Sequence, residues 1–379
     1  MRVLHINNGN LYGGIETMLA TLGRHGNLSE SMTPEFALCF NGRISEELAA
    51  SGAAVHQLGS ARVRYPVSLY HARHRLRELL KQGRFDFAVC HSSWSHAIFA
   101  PVVREAGVAE VRWLHDPFDR RHWLNRWASR VAPDLMVANS QFTAKTWSGV
   151  YPNVGAKVVL PPVECTRPAS GFDRRVLRQQ LGTSEDAVVI IQLSRMEEWK
   201  GQTVLLRALS LLRDDPRWVC WVVGGAQRPS EQRYLSILEG LAEHFELANR
   251  VRFLGHRRDS PELLAAADIH CQPNVGPEPF GITFVEALFS GLPVVTSGFG
   301  GAVEIVNDEC GILLPPNDPE RLASALRSLI GDRRRREALG AAGPMRAATL
   351  CDPVTRIKEL NQFLAAAVRP RSRSAIAGR

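Results

Sequence analysis

Arg2-Val3-Leu4-His5-Ile6-Asn7 leads into Asn8-Gly9-Asn10-Leu11-Tyr12-Gly13-Gly14 and then Ile15-Glu16. The first six residues are a short apolar run, residues 9–14 a glycine-rich loop, and helical spacing begins at Ile15. Strand, turn and helix in that order make the repeating unit of a parallel sheet covered on both faces. Working outward, the unit recurs. Residues 36–40, 55–58, 85–91, 108–115 and 135–139 read as further buried strands, with helical stretches at 68–82 and 96–106 between them. Pro161-Pro162-Val163-Glu164 then makes a rigid turn after a strand. Beyond it the alternation starts again, with strands at 188–193, 218–223, 251–254, 269–272, 293–296 and 312–314. Helices at 203–213, 233–245, 261–267, 280–290 and 320–329 separate them. The pattern predicts an α/β chain of two doubly wound domains joined by a hinge. Such a pair leaves a cleft between the carboxyl ends of its sheets.

Composition agrees with that plan. The chain has 379 residues, enough for two cores, and 45% apolar with 22% charged residues reads as globular. Seven cysteines, an odd number with no Cys-x-x-Cys pair, read as reduced, buried thiols of a cytosolic protein. Met1-Arg2 runs straight into a strand, so no signal peptide is expected, and no apolar run is long enough to span a bilayer. The net charge of +8 favours anionic partners, although Arg369, Arg371, Arg373 and Arg379 lie in a tail over 369–379 that reads as disordered.

Several stretches at strand ends carry chemistry. In Pro277-Glu278-Pro279-Phe280-Gly281-Ile282-Thr283-Phe284-Val285-Glu286-Ala287-Leu288, two carboxylates flank seven residues. Glu278 stands just before a helix mouth, where free N–H groups favour an anion, and Glu286 lies about one and a half turns inside it. Glu278 reads equally as a helix cap and Glu286 as a surface charge. The apolar neighbours Phe284, Val285, Ala287 and Leu288, however, imply that Glu286 needs a partner. Arg195 and Lys200, in Ser194-Arg195-Met196-Glu197-Glu198-Trp199-Lys200-Gly201, project from a loop at the cleft. They suit a diphosphate, or else form a solvated loop paired with Glu197 and Glu198. His115-Asp116 ends a strand, where an imidazole can bond a sugar hydroxyl and Asp116 can orient it or cap the next segment. Gly13-Gly14 opens the first helix, a phosphate cradle or only a turn. Asn139-Ser140 ends another strand, a place to line an acceptor's side of the cleft or only the small polar residues common at strand ends, and Gly300-Gly301 with Glu304 forms a further helix mouth or a cap.

Taken together these residues resemble the retaining GT-B glycosyltransferases, family 4 above all. Arg195-x4-Lys200-Gly201 and Glu278-x7-Glu286 are similar to the family's signatures, as are Gly13-Gly14-Ile15-Glu16 and Gly300-Gly301-x-x-Glu304. The resemblance implies two Rossmann-like domains: an acceptor domain over 1–164 and a nucleotide-sugar domain over 165–350. It also implies a helix over 351–368 that returns to the first domain. It implies transfer of a sugar from a nucleotide diphosphate sugar to an acceptor hydroxyl, in polysaccharide or glycolipid assembly. Arg195 and Lys200 would then steady the leaving diphosphate, Glu278 hold the sugar, and Glu286 bind both ribose hydroxyls. The backbone of Phe280, Gly281, Ile282 and Thr283 would approach sugar and phosphate, and Gly255-His256 the base. His115 would shape the reacting centre. No Asp-x-Asp occurs, so no metal and no cofactor beyond the donor are expected. A sugar-nucleotide epimerase and a non-catalytic glycan-binding scaffold are the alternatives.

One basic zone lies apart from these motifs. Arg62, Arg64, Arg73, Arg75, Arg77, Lys81 and Arg84 interleave with Tyr65, Leu69 and Tyr70, and Trp123 and Trp127 stand among Arg120, Arg121 and Arg126. A solvated helix packed on the sheet is the plain reading, and peripheral contact with an anionic membrane at the inner face of the cell the other. No nucleic-acid motif accompanies the charge.

Overall fold

The computed structural model describes residues 1–26 and 32–367; the tail anticipated at 369–379 lies outside them. Among the described residues, β1 (Arg2–Asn7), β2 (Thr33–Leu38), β3 (Ala54–Gln57), β4 (Phe87–Cys90), β5 (Ala109–Leu114), β6 (Leu135–Ala138) and β7 (Ala156–Val158) form one sheet. Its order is β3-β2-β1-β4-β5-β6-β7. A second sheet has the order β10-β9-β8-β11-β12-β13. Its strands are β8 (Val188–Leu193), β9 (Trp218–Val223), β10 (Val251–Gly255), β11 (Ile269–Gln272), β12 (Val294–Ser297) and β13 (Gly311–Leu314). Every pairing is parallel. Strand order reverses between β1 and β4 and between β8 and β11, and at such switch points an α/β sheet opens a crevice. The fold is the anticipated pair of Rossmann-like domains.

The central strands of each sheet are buried on both faces because apolar residues predominate on both sides of them. In β1, Val3 packs into one cluster and Leu4 and Ile6 into another on the opposite face. In β8, Ile190 points to one side and Val189 and Ile191 to the other. The seven cysteines are all free, and six are buried.

Two features shape the molecule beyond this pattern. The helix Arg333–Cys351, unassigned in the sequence reading, lies against the helix Ile282–Phe289. Glycines make the approach possible: a Cβ on Gly340 would sit 2.1 Å from the Gly291 carbonyl oxygen, and one on Gly343 2.4 Å from that of Leu288. The chain then turns back, Val163 N–H donating to the Cys351 carbonyl (3.0 Å) where the two connecting segments meet. The last described helix, Pro353–Ala367, buries Ile357, Leu360 and Leu364 in the core of the first sheet. No described helix is long and apolar enough to cross a membrane.

Candidate active site

The loop after β8 is fixed before it offers any charge. Gln192 and Gln202 are buried, and their amides hold the carbonyls of Lys200 and Arg195, each at 2.8 Å. Gly201 takes φ +77°, and a Cβ there would strike the Pro273 carbonyl oxygen at 1.9 Å, so only glycine lets this loop close on its neighbour.

Held in this way, Lys200 places Nζ 2.6 Å from Glu278 Oε2. The same oxygen accepts from Gln272 Nε2 (3.1 Å) and Asn274 Nδ2 (3.0 Å), two buried amides at the end of β11. One oxygen of the carboxylate is thus saturated by three donors, and Oε1 carries no protein partner among the described residues. Neither Gln272 nor Asn274 stands out in the sequence; the signal for them is only their place at a strand end before Glu278.

Arg195 binds Glu197 (2.9 Å) and lies 3.9 Å from Glu231 Oε1. The pairing with Glu197 is the bland alternative in part realised. It also aims the guanidinium, because Glu231 is buried at the start of the helix Pro229–His244, its other oxygen accepting from Gln227 N–H and Arg228 N–H.

The helix anticipated at 280–290 begins at Ile282, because Gly281 adopts φ +108° as its N-cap and breaks the helical register. Its first amides have no intrahelical acceptor. Thr283 and Gln272 side chains meet at 3.5 Å, and Phe280 is buried beneath. The Glu286 carboxylate has no hydrogen-bond partner among the described residues, and loss of water around it raises its carboxyl to about 7. At the neighbouring strand end, Gly225 approaches His256 so closely that a Cβ would lie 2.8 Å from the His256 Cβ, and Gly224 N–H donates to the Gly255 carbonyl. The 255–256 turn and the 224–225 loop therefore form one wall.

The first domain faces this set. His115 is buried at the end of β5, with Nε2 3.1 Å from His91 Nδ1, and burial pushes its pKa down to about 3. Asp116 next to it opens to solvent between the two domains. Crowding by protein raises its carboxyl, Arg195 and Lys200 pull it down, and Glu197 and Glu278 push it up. These charges are thus brought together across the cleft.

At several positions the structure favours the plainer of the two readings. Gly13 N–H already donates to Glu16 Oε2 (3.0 Å), so it is not a free phosphate donor. Gly14 faces Ile282 of the other domain, whose Cδ1 lies 3.4 Å from where a Cβ would be. Asn139 and Ser140 do not line an open acceptor side: Asn139 Nδ2 bonds the His115 carbonyl (3.2 Å) and Ser140 Oγ the Pro279 carbonyl (2.6 Å). Glu304 does not face the cleft as a substrate group. Its carboxylate accepts Gln141 N–H and Phe142 N–H, each at 2.9 Å, capping a helix of the opposite domain. Gly300 and Gly301 serve the 277–280 loop: Gly301 N–H donates to the Glu278 carbonyl (2.6 Å), and a Cβ on Gly300 would lie 2.6 Å from that oxygen.

Cys90, His96 and Glu110 could together supply metal donors. His96, however, already uses both ring nitrogens, on Glu110 Oε1 (2.9 Å) and the Val131 carbonyl (2.8 Å), as a satisfied core residue does.

Residues 173–346 match the family described as glycosyl transferases group 1. A phosphatidyl-myo-inositol mannosyltransferase of Mycobacterium leprae is 37% identical over 293 residues, 68% of this chain and 75% of that protein. A GDP-mannose-dependent monoacylated alpha-(1-6)-phosphatidylinositol monomannoside mannosyltransferase of Corynebacterium glutamicum is 28% identical over 71% of this chain and 74% of its own length. The crystal structure of Anabaena HepE with UDP and glucose superposes with a TM-score of 0.85 at 26% identity, covering 97% of this chain and 100% of that one.

Proposed function

This chain belongs to the glycosyl transferases group 1 family, and from that premise we propose how its cleft transfers a sugar. The donor is a nucleotide diphosphate sugar. The acceptor is a hydroxyl of a membrane-borne glycolipid or polysaccharide precursor. Anomeric configuration is retained, and no metal ion is needed. The observation that carries the donor reading is the buried Lys200–Glu278 pair at 2.6 Å, set at a helix mouth with one carboxylate oxygen unclaimed. An ammonium there neutralises phosphate oxygens, while Glu278 Oε1 accepts from a sugar hydroxyl. Arg195 supplies a second cation for the departing diphosphate. Glu286 has an unpartnered carboxylate suited to the two ribose hydroxyls.

With two fixed cations at the leaving group, a divalent ion has no task the side chains leave undone. The bond from the anomeric carbon to the diphosphate breaks, and the acceptor oxygen bonds that carbon on the same face. The acceptor's proton passes to the departing phosphate oxygen. Asp116 and His115 border the acceptor side, and the closed domains keep water out.

The lipid acceptor is supported by the surface next to the cleft. Part of the basic zone is structural: Arg73 and Arg75 bind carbonyls of Ile98 and Leu58, and Arg77 pairs with Glu105. The exposed remainder includes the rim Arg62-Val63-Arg64-Tyr65-Pro66-Val67, with Tyr65 54%, Val67 70% and Tyr70 66% accessible. Trp123, 52% accessible, stacks on Trp127 at 6.2 Å, and Arg126 and Arg130 line the hollow beside them. Arginines among exposed aromatic rings fit anionic headgroups.

A panel of UDP, GDP and ADP sugars in thermal unfolding tests the donor. A ligand at 100 times its Kd adds about 2.7 kcal/mol to the folded state. One nucleotide should stabilise the protein, and Glu278→Ala should lose the sugar's increment; silence from all three bases would end the reading. For the rim, flotation with phosphatidylglycerol vesicles should recover the wild type but not a Tyr65→Ser/Trp123→Ser variant. Equal recovery of both would remove the membrane from the account.

A further inference from the structure

Three histidines stand in a line beneath the cleft. His5 lies on β1, His91 directly after β4 and His115 directly after β5, three neighbours in one sheet. His5 Nδ1 is 2.9 Å from His91 Nε2, and His91 Nδ1 is 3.1 Å from His115 Nε2. The rings stack at 5.1 and 5.3 Å, with Trp113 laid against His91 and His115. All three are buried. Removal from water holds them neutral, with His5 and His115 pushed down to about 3 and His91 lowered by burial and by its two neighbours. At one end, His5 Nε2 is buried and has no partner among the described residues. At the other, His115 Nδ1 has no partner among the described residues and is the nitrogen left for the cleft.

A neutral imidazole has one N–H and one lone pair. His91 must therefore donate to one neighbour and accept from the other. Only two fully bonded arrangements exist, and each fixes all three tautomers at once. With every proton on Nδ1, His115 offers an N–H to the cleft and His5 ends in a bare lone pair. With every proton on Nε2, His115 offers a lone pair and His5 buries an N–H that nothing receives. Orphaned buried N–H groups are the rarer of the two defects. The surroundings of His5 are apolar, with Phe36 stacked on its ring at 5.5 Å.

We infer that His5 and His91 are positioning residues that lock His115 as its Nδ1–H tautomer, so that His115 donates a hydrogen bond to a hydroxyl or phosphate oxygen of the bound sugar nucleotide. The inference rests on the cleft being the sugar-nucleotide site. It explains why a sheet interior keeps two further polar rings that touch no substrate.

Long-range 1H–15N spectra of protein labelled at its histidine rings decide it, with His115 assigned by loss of its signals in His115→Gln. Without nucleotide, the wild type should show a pyrrole-type Nδ1 and a pyridine-type Nε2 at His115. In His5→Gln, whose amide can either donate to His91 Nε2 or accept from it, His115 should become a mixture of both tautomers, with folding checked by circular dichroism. His91→Gln, whose amide can likewise donate to His115 Nε2 or accept from it, serves if the first variant does not fold, with the same mixture expected. An Nε2–H tautomer in the wild type, or an unchanged His115 in a folded His5→Gln or His91→Gln variant, overturns the lock. Because the spectra are taken without nucleotide, failure of UDP, GDP and ADP sugars to stabilise the protein would sink the cleft reading separately.

Discussion

Glu286 shows how one side chain can couple the site to pH. Its carboxyl is raised to about 7 by burial, so in the free protein it is neutral below that pH. Two ribose hydroxyls need the ionised form, which accepts both hydrogen bonds. Binding must then release a proton when the pH is below about 7. Nucleotide affinity should fall about tenfold per pH unit below that point and level off above it. Calorimetric titration with UDP from pH 5.5 to 8.5 checks this, and Glu286→Gln should flatten the curve while weakening binding at pH 8. A wild-type curve with no inflection near 7 would remove Glu286 from the ribose site. At this scale the sequence was eloquent where a charge stood among apolar residues, as Glu286 does. It was silent where the function of a residue depends on what the fold brings to it. Gln272, Asn274 and Glu231 look like ordinary polar residues until Glu278 and Arg195 arrive beside them.

Elements differ in how plainly their residues announce them. β1, β8, β9 and β11 are legible to the residue because buried parallel strands are short, mainly apolar runs set off by loops and helices. The helix Arg333–Cys351 is hidden for the opposite reason. Its four leading arginines, Gly340, Gly343 and Pro344 resemble a loop, and its partner across the interface decides the outcome. Those glycines are there for contact rather than flexibility. Gly340→Ala forces a Cβ onto the Gly291 carbonyl at 2.1 Å, so backbone must move. The variant should lose about 1–3 kcal/mol, the usual cost of overpacking, read as a lower urea midpoint. Since the displaced helix carries Glu286, nucleotide affinity should fall with it. Gly331→Ala, whose Cβ meets nothing closer than Arg217 Nη1 at 3.9 Å, should leave both unchanged and serves as the control.

In the whole molecule, the two domains are held by few but specific contacts. Gln227 exchanges two hydrogen bonds with the Tyr12 backbone, Ser140 reaches Pro279, and Glu304 caps a helix it does not belong to. Each lies beside the cleft, so closure and assembly of the site are one event. Glu304→Ala removes two charge-assisted bonds and should shift the population toward open forms. Solution scattering should show a larger radius of gyration for the variant than for the wild type, with saturating UDP narrowing the gap. Identical profiles would mean that Glu304 does not hold the domains together. None of these bridges was visible beforehand. Sequence patterns report what each strand and helix does within its own domain, and a contact between domains leaves no period to read.

The crossing of the helix Pro353–Ala367 onto the first sheet carries a consequence for biosynthesis. A ribosome releases the first domain's strands early, yet Ile357, Leu360 and Leu364, which seal that domain's core, emerge only after every strand of the second sheet. Until then the nascent domain carries an open apolar seam, a natural site for a chaperone to occupy. The core begun by the first strands to be made is closed only once the second sheet has been translated.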